Sequence, residues 1–194
     1  MPERGKFVAI YGSNNVGKTE QVPRLVDNLR NRGIDVVSVK YPIYDLAPTG
    51  PIINEIVRHG RKSSVVAAQT HYAKNRRDYE PTLMGELNTG RWVIAEDYKG
   101  TGFAWGMTFG LPFKILEELN WGLQEEDLGI LLDGNRFKTG IEVGHIFEQS
   151  GRWDKNRKIH QELADIFGWS MVNANQTREK VANDIFCLVR DKFL

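Results

Sequence analysis

Gly12-Ser13-Asn14-Asn15-Val16-Gly17-Lys18-Thr19 is the stretch from which the rest of the chain can be read. Before it stands Phe7-Val8-Ala9-Ile10-Tyr11, an unbroken apolar run of the kind a buried strand needs. After it, Val22, Leu25, Val26 and Leu29 fall at helical spacing and predict a helix over 20–32. Strand, glycine-framed loop, Lys-Thr and helix together form the setting of a phosphate-binding loop. Its glycines let backbone amides turn inward, and those amides, with the positive end of the helix, hold phosphate oxygens. All eight residues, Gly12, Ser13, Asn14, Asn15, Val16, Gly17, Lys18 and Thr19, are thus candidates for binding ATP. Lys18 is placed to reach the outer phosphates, and the Thr19 hydroxyl to face a magnesium ion.

Working outward, four more strands are expected, at 34–39, 92–95, 128–132 and 170–172. Helices are predicted over 51–59, from Ser63 or Ser64 to about Asp78, from Pro81 to Asn88, around 103–109 and 112–120, over 153–167, and from Thr177 to about Lys192. Continuous apolar strands alternating with helices specify an α/β chain: a three-layer fold with a five-stranded parallel sheet covered on both faces. Right-handed crossovers bring the strand carboxyl ends to one edge. That edge collects the loop, Lys40, Glu96, Asp97, Asp133 and the polar stretch 134–151, which holds four glycines and reads as mobile.

A chain of 194 residues suits one domain spanning 1–194. The net charge of +1 gives no field that would draw nucleic acid or a membrane surface, and no apolar run approaches a bilayer span. Met1 to Lys6 carries no apolar signal region, and Cys187 stands alone, so a reducing cytoplasm is expected. Phe186, Leu188 and Val189 beside Cys187 predict a buried structural thiol.

Beyond the loop, an ordered set of segments resembles the thymidylate kinases, a family of nucleoside-monophosphate kinases. Lys40-Tyr41-Pro42 stands where that family has a basic residue, an aromatic or acidic one, then proline. Tyr72-Ala73-Lys74-Asn75-Arg76 resembles its aromatic-x-x-Asn-Arg segment, with Pro81 following. Glu96-Asp97-Tyr98 takes the place of its Asp-Arg-Tyr or Asp-Arg-His. Gly122-Leu123, three residues, then Asp127-Leu128 resembles its lead into the fourth strand, and Asn173-Ala174-Asn175 its approach to the last helix.

The resemblance implies transfer of the ATP γ-phosphoryl group to dTMP with Mg2+. It implies that Tyr72 stacks on the pyrimidine and Arg76 hydrogen-bonds its edge. Tyr98 and Trp105 would wall the sugar pocket, and Lys40 and Tyr41 would lie in the acceptor site. Thr19, Glu96 and Asp97 would serve magnesium. The polar stretch 134–151 resembles the family's mobile lid, with Arg136, Lys138 and Arg152 as its cations, and Arg136 and Arg152, with Lys18, are the implied catalytic charges. Relatives with this fold often dimerise, which makes a homodimer an expectation.

Three acceptor-site positions depart from the pattern. Asn14 replaces a carboxylate that usually contacts the sugar 3'-hydroxyl; an amide accepts that bond more weakly. Lys40 replaces an arginine, keeping the charge and losing the fork. Asp97 replaces an arginine that usually grips the acceptor phosphate, a reversal of charge. A carboxylate about 4 Å from a phosphate costs about 4 kcal/mol at an effective dielectric of 20. Asn15 also occupies the slot where a subgroup has a catalytic arginine. Asp97 then has three readings: a helper to Glu96 in holding magnesium, a carboxylate for an acceptor without a phosphate (deoxynucleoside kinases have a glutamate at the position of Glu96 but an arginine beside it), or the mark of a chain that binds nucleotide without efficient transfer.

Overall fold

The structure is a computed structural model that describes residues 3–137 and 151–194. Its strands are β1 (Phe7–Tyr11), β2 (Val36–Lys40), β3 (Trp92–Glu96), β4 (Leu128–Asp133) and β5 (Ser170–Asn173). All pairings are parallel, in the order β2-β3-β1-β4-β5. The phosphate-loop strand β1 is central, flanked by β3 on one side and β4 on the other, so the order reverses beside it. In such sheets ligands bind outside the carboxyl ends at that reversal.

Alternation along β1 builds two cores. Val8 and Ile10 face one side, where helices α1 (Lys18–Arg30) and α7 (Arg178–Phe193) contribute Val22, Leu25, Leu29, Val181 and Ile185. Phe7, Ala9 and Tyr11 face the other, packed with Leu83, Leu87, Phe103, Leu116 and Leu163. Those residues come from α3 (Val65–Asn88), α4 (Lys99–Thr108), α5 (Phe113–Asn120) and α6 (Trp153–Phe167). Helix α2 (Thr49–Arg58) forms a smaller apolar cluster with α3 through Ile53, Val57 and Tyr72.

Two helices carry side-chain caps. Ser64 accepts a hydrogen bond from the Ala67 amide at 3.2 Å, and Thr177 from the Lys180 amide at 3.3 Å. The predicted break at Pro81 does not occur: α3 runs through it as one helix of 24 residues. An interior proline costs about 3 kcal/mol. Leu83 and Leu87, beyond it, are fully buried and each returns roughly 1.5–3 kcal/mol. Tertiary burial therefore outweighs the local penalty. Cys187 is half-buried, not buried, with Asn183 Nδ2 3.7 Å from its sulfur. Its helix turns the apolar neighbours Phe186 and Val189 inward instead.

Candidate active site

The loop after β1 is shaped by two glycines. Gly12 has φ of 145°, and a Cβ there would lie 2.6 Å from the Leu132 carbonyl oxygen. Gly17, at φ 100°, ends the loop where α1 begins. Only glycine takes these turns without strain. No side chain caps α1 at Gly17, so its first amides remain available to an anion. Lys18 is buried and folds back over the loop, donating to the carbonyls of Gly12 at 2.6 Å and Ser13 at 3.0 Å.

Glu96 closes β3, in register with Ile10 on one side and Lys40 on the other. The Thr19 hydroxyl donates to Glu96 Oε1 at 2.6 Å, and Lys40 Nζ lies 2.7 Å from the same oxygen. Burial would lower the Lys40 pKa, but the Glu96 carboxylate outweighs it and holds the ammonium above its ordinary value. Asp97 follows with φ of 63°, a left-handed turn that Asp tolerates better than most residues. Its Oδ1 accepts from Thr101 at 2.7 Å and lies 3.6 Å from Lys18 Nζ. Two lysines and two carboxylates thus meet at the floor of the site and cancel in formal charge.

A cleft of about 750 Å³ opens above this floor. It is lined by the loop from Asn14 to Thr19, by Lys40, Tyr41, Glu96 and Asp97, and by Tyr72, Arg76, Tyr98 and Trp105. Tyr72 and Arg76 come from α3, and their spacing puts both on one helix face. Arg76 is buried, which lowers its pKa against the opposing field of nearby tyrosines led by Tyr98. Its Nη1 donates to Asn120 Oδ1 at 3.0 Å, while its Nε is buried without a partner. Gly102 makes room for it: a Cβ there would sit 2.6 Å from Arg76 Nη2. Tyr98 spends its hydroxyl on the Gln124 carbonyl at 3.0 Å and offers the cleft its ring. The Tyr41 ring leans on it at 5.1 Å.

Gly12 and Ser13 do not line the cleft directly but shape the loop that does. Arg136 is half-buried and Arg152 lies over the Phe109 ring at 4.7 Å; neither lines the cleft. Residues 138–150, with Lys138 and most of the expected lid, lie outside the described residues. The Phe137 amide donates to the Asn15 carbonyl at 2.8 Å, which ties the last described residue before 138 to the loop.

The sequence reading passed over several lining residues. Arg58 at the end of α2 lies over the Tyr44 ring at 4.3 Å, and both border the cleft. Gln69 lines it from α3, three residues before Tyr72; that spacing was the available signal. Gln176, Thr177, Arg178 and Val181 border the opposite end, where Gln21 Nε2 donates to the Arg178 carbonyl at 3.1 Å. Nothing local marks this end, because it is assembled from α1 and the β5–α7 turn.

A parallel sheet with a phosphate loop at its switch point, and a cleft whose lining joins that loop to aromatic rings and an arginine, defines a P-loop phosphotransferase of the nucleotide kinase class. Within that class the thymidylate kinase family profile matches residues 10–185, and the chain belongs to that family. It is similar to the thymidylate kinase of Dictyostelium discoideum, 25% identical over 197 residues that cover 100% of this chain and 88% of that protein. A probable thymidylate kinase of Pyrococcus abyssi is 28% identical over 204 residues, covering 98% of each. The solved thymidylate kinase of Candida albicans shares the fold, with a TM-score of 0.83 at 20% identity, over 97% of this chain and 92% of that one.

Proposed function

We propose that this chain transfers the γ-phosphoryl group of ATP to dTMP, giving ADP and dTDP. The observation that supports the reading is one cleft whose lining includes Lys18, Thr19 and Glu96 together with Tyr72 and Arg76. The triphosphate lies along the α1 amides, with its base toward Gln176 and Arg178. The pyrimidine stacks on Tyr72, and Tyr98 and Trp105 wall the sugar, with Asn14 near the 3'-hydroxyl. Lys18 has three N–H groups; two already go to loop carbonyls, and an incoming phosphate competes for them.

The donor set at the floor fits magnesium. Thr19 Oγ1 and Glu96 Oε1, 2.6 Å apart, would offer hard oxygen ligands, and Asp97, which lines the same cleft, would offer a further carboxylate. Magnesium takes most of its remaining ligands from water and phosphate, so one or two carboxylates suffice. When bound, it neutralises charge on the transferring group. Because the lysines and carboxylates of the floor already cancel, the chain needs further positive charge for the acceptor phosphate. Lys40, which lines the cleft, is the first candidate, and Arg136 and Arg152, which do not line it, are the further ones. A phosphate acceptor needs no strong base; positioning and charge neutralisation dominate. With Cys187 unpaired, a reducing cytoplasm suits such an enzyme.

A coupled assay of ADP release across dTMP, dUMP, dCMP, UMP and thymidine tests the reading. The expected order puts dTMP first. Thymidine turning over faster would make Asp97 part of a nucleoside kinase site. ATP binding with no product from any acceptor would make the chain a nucleotide-binding protein without transfer.

A further inference from the structure

Gln69 is 4% exposed, and its side chain lines the cleft. Among the described residues its amide has no hydrogen-bond partner. The amide keeps contact with the open cleft, so it can pair with water there or with a ligand that enters. Gln69, Tyr72 and Arg76 stand at i, i+3 and i+7 on α3, one face of the helix, with the stacking ring between the two polar groups. Seven residues of helix place the outer two about 10 Å apart along the axis, within reach of both side chains for a base lying between them.

Their chemistry is complementary. Arg76 only donates, and Asn120 has already taken Nη1. It can therefore meet only an accepting atom of the base. Gln69 offers one acceptor and two donors. The pairing edge of thymine or uracil runs acceptor, donor, acceptor: the 4-keto oxygen, the N3 hydrogen and the 2-keto oxygen. Cytosine puts an amino donor at the first position and would face Arg76 donor to donor.

We propose that Gln69 is a specificity residue of the acceptor site: its amide takes the N3–H and donates to the 2-keto oxygen, while Arg76 donates to the 4-keto oxygen. The inference rests on the acceptor reading above and adds to it how a 4-keto pyrimidine is told from cytosine. A site built with such groups rejects the wrong base because its own polar atoms are then left unpaired.

The test measures dTMP, dCMP and ATP affinities by calorimetry on the full chain, with Gln69→Met beside the wild type. Methionine matches the length and favours helix but makes no comparable hydrogen bond. Expected is a five- to tenfold loss of dTMP affinity. ATP affinity should stay unchanged, and the preference for dTMP over dCMP should shrink by a similar factor. ATP affinity also verifies the fold; should Gln69→Met lose it, Gln69→Asn, which withdraws the amide by one carbon, must show the same selective loss. A variant that binds ATP and dTMP as the wild type does overturns the role of Gln69 and leaves the acceptor reading standing. A wild-type chain that binds ATP but no pyrimidine nucleotide overturns the acceptor reading and this inference with it.

Discussion

Lys18 carries the largest single expectation at the scale of one residue. It is buried in its own loop, and its charge is matched there by two carbonyls and Asp97. Lys18→Ala should abolish ADP release while the far-ultraviolet circular dichroism stays that of the folded chain. Turnover near the wild-type rate would take the loop out of the mechanism. Asp97 is the residue whose charge opposes an acceptor phosphate. Replacing it by arginine would force a long side chain into a left-handed backbone, a strain of roughly 1–2 kcal/mol. Asparagine tolerates that backbone and removes the charge alone. Asp97→Asn should lower the KM for dTMP several-fold, read from steady-state kinetics at saturating ATP. An unchanged KM would say that the carboxylate faces Lys18 and Thr101 and not the acceptor.

Between elements, the telling contact is that of α6 with the phosphate loop. Trp153 Nε1 donates to the Asn14 carbonyl at 2.7 Å. The Ser13 hydroxyl donates to Asn156 Oδ1 at 2.9 Å, and Asn156 Nδ2 to Thr108 Oγ1 at 3.1 Å. Asn156 is fully buried, so it joins α6, α4 and the loop without competition from water. Asn156→Ala removes both side-chain bonds and leaves a hydroxyl unpaired. The cost should be about 2 kcal/mol, seen as a fall of roughly 4–8 °C in the melting temperature, with a higher KM for ATP. A loss of stability with ATP kinetics untouched would show that α6 braces the fold without setting the loop. The asparagine was readable as a residue, but its partners are 48 and 143 positions away, and no pattern near it announces them.

For the whole molecule, His160 links stability to pH. It is buried on α6, with its Nδ1 against the Asn156 carbonyl and its Nε2 without a partner among the described residues. Burial, and then the Lys18 charge, push its pKa down from 6.5 to about 3. The unfolded chain therefore takes up this proton first. The stabilisation is full above pH 6.5 and is lost as pH falls toward 3, at about 1.4 kcal/mol per pH unit. Between pH 6 and pH 5 ordinary carboxylates stay ionised in both states, so the slope in that window belongs to histidine. Urea unfolding at several pH values should show it, and His160→Gln should flatten it. An equal slope in the variant would place the titration elsewhere. Asp133, whose pKa is lowered by hydrogen bonds from Arg157, adds the same sign of dependence only further down the scale.

The sequence by itself determined the sheet, its parallel sense and the phosphate loop. Each of these follows from local regularities: apolar runs, helical spacing, and glycines where the backbone must turn. Tyr72 and Arg76 were picked out only by their resemblance to the family's aromatic-x-x-Asn-Arg segment, and α3 carries both on one face. Tertiary structure alone decided that α3 continues through Pro81, that Arg76 leans on Asn120 under Gly102, and that Gln69 joins them with its amide unpaired. It alone also matched Lys18 to Asp97 and Lys40 to Glu96 across the floor of the cleft. Burial and pairing of charge depend on which strands lie side by side, and the order β2-β3-β1-β4-β5 is a property of the packed chain, not of any one stretch of it.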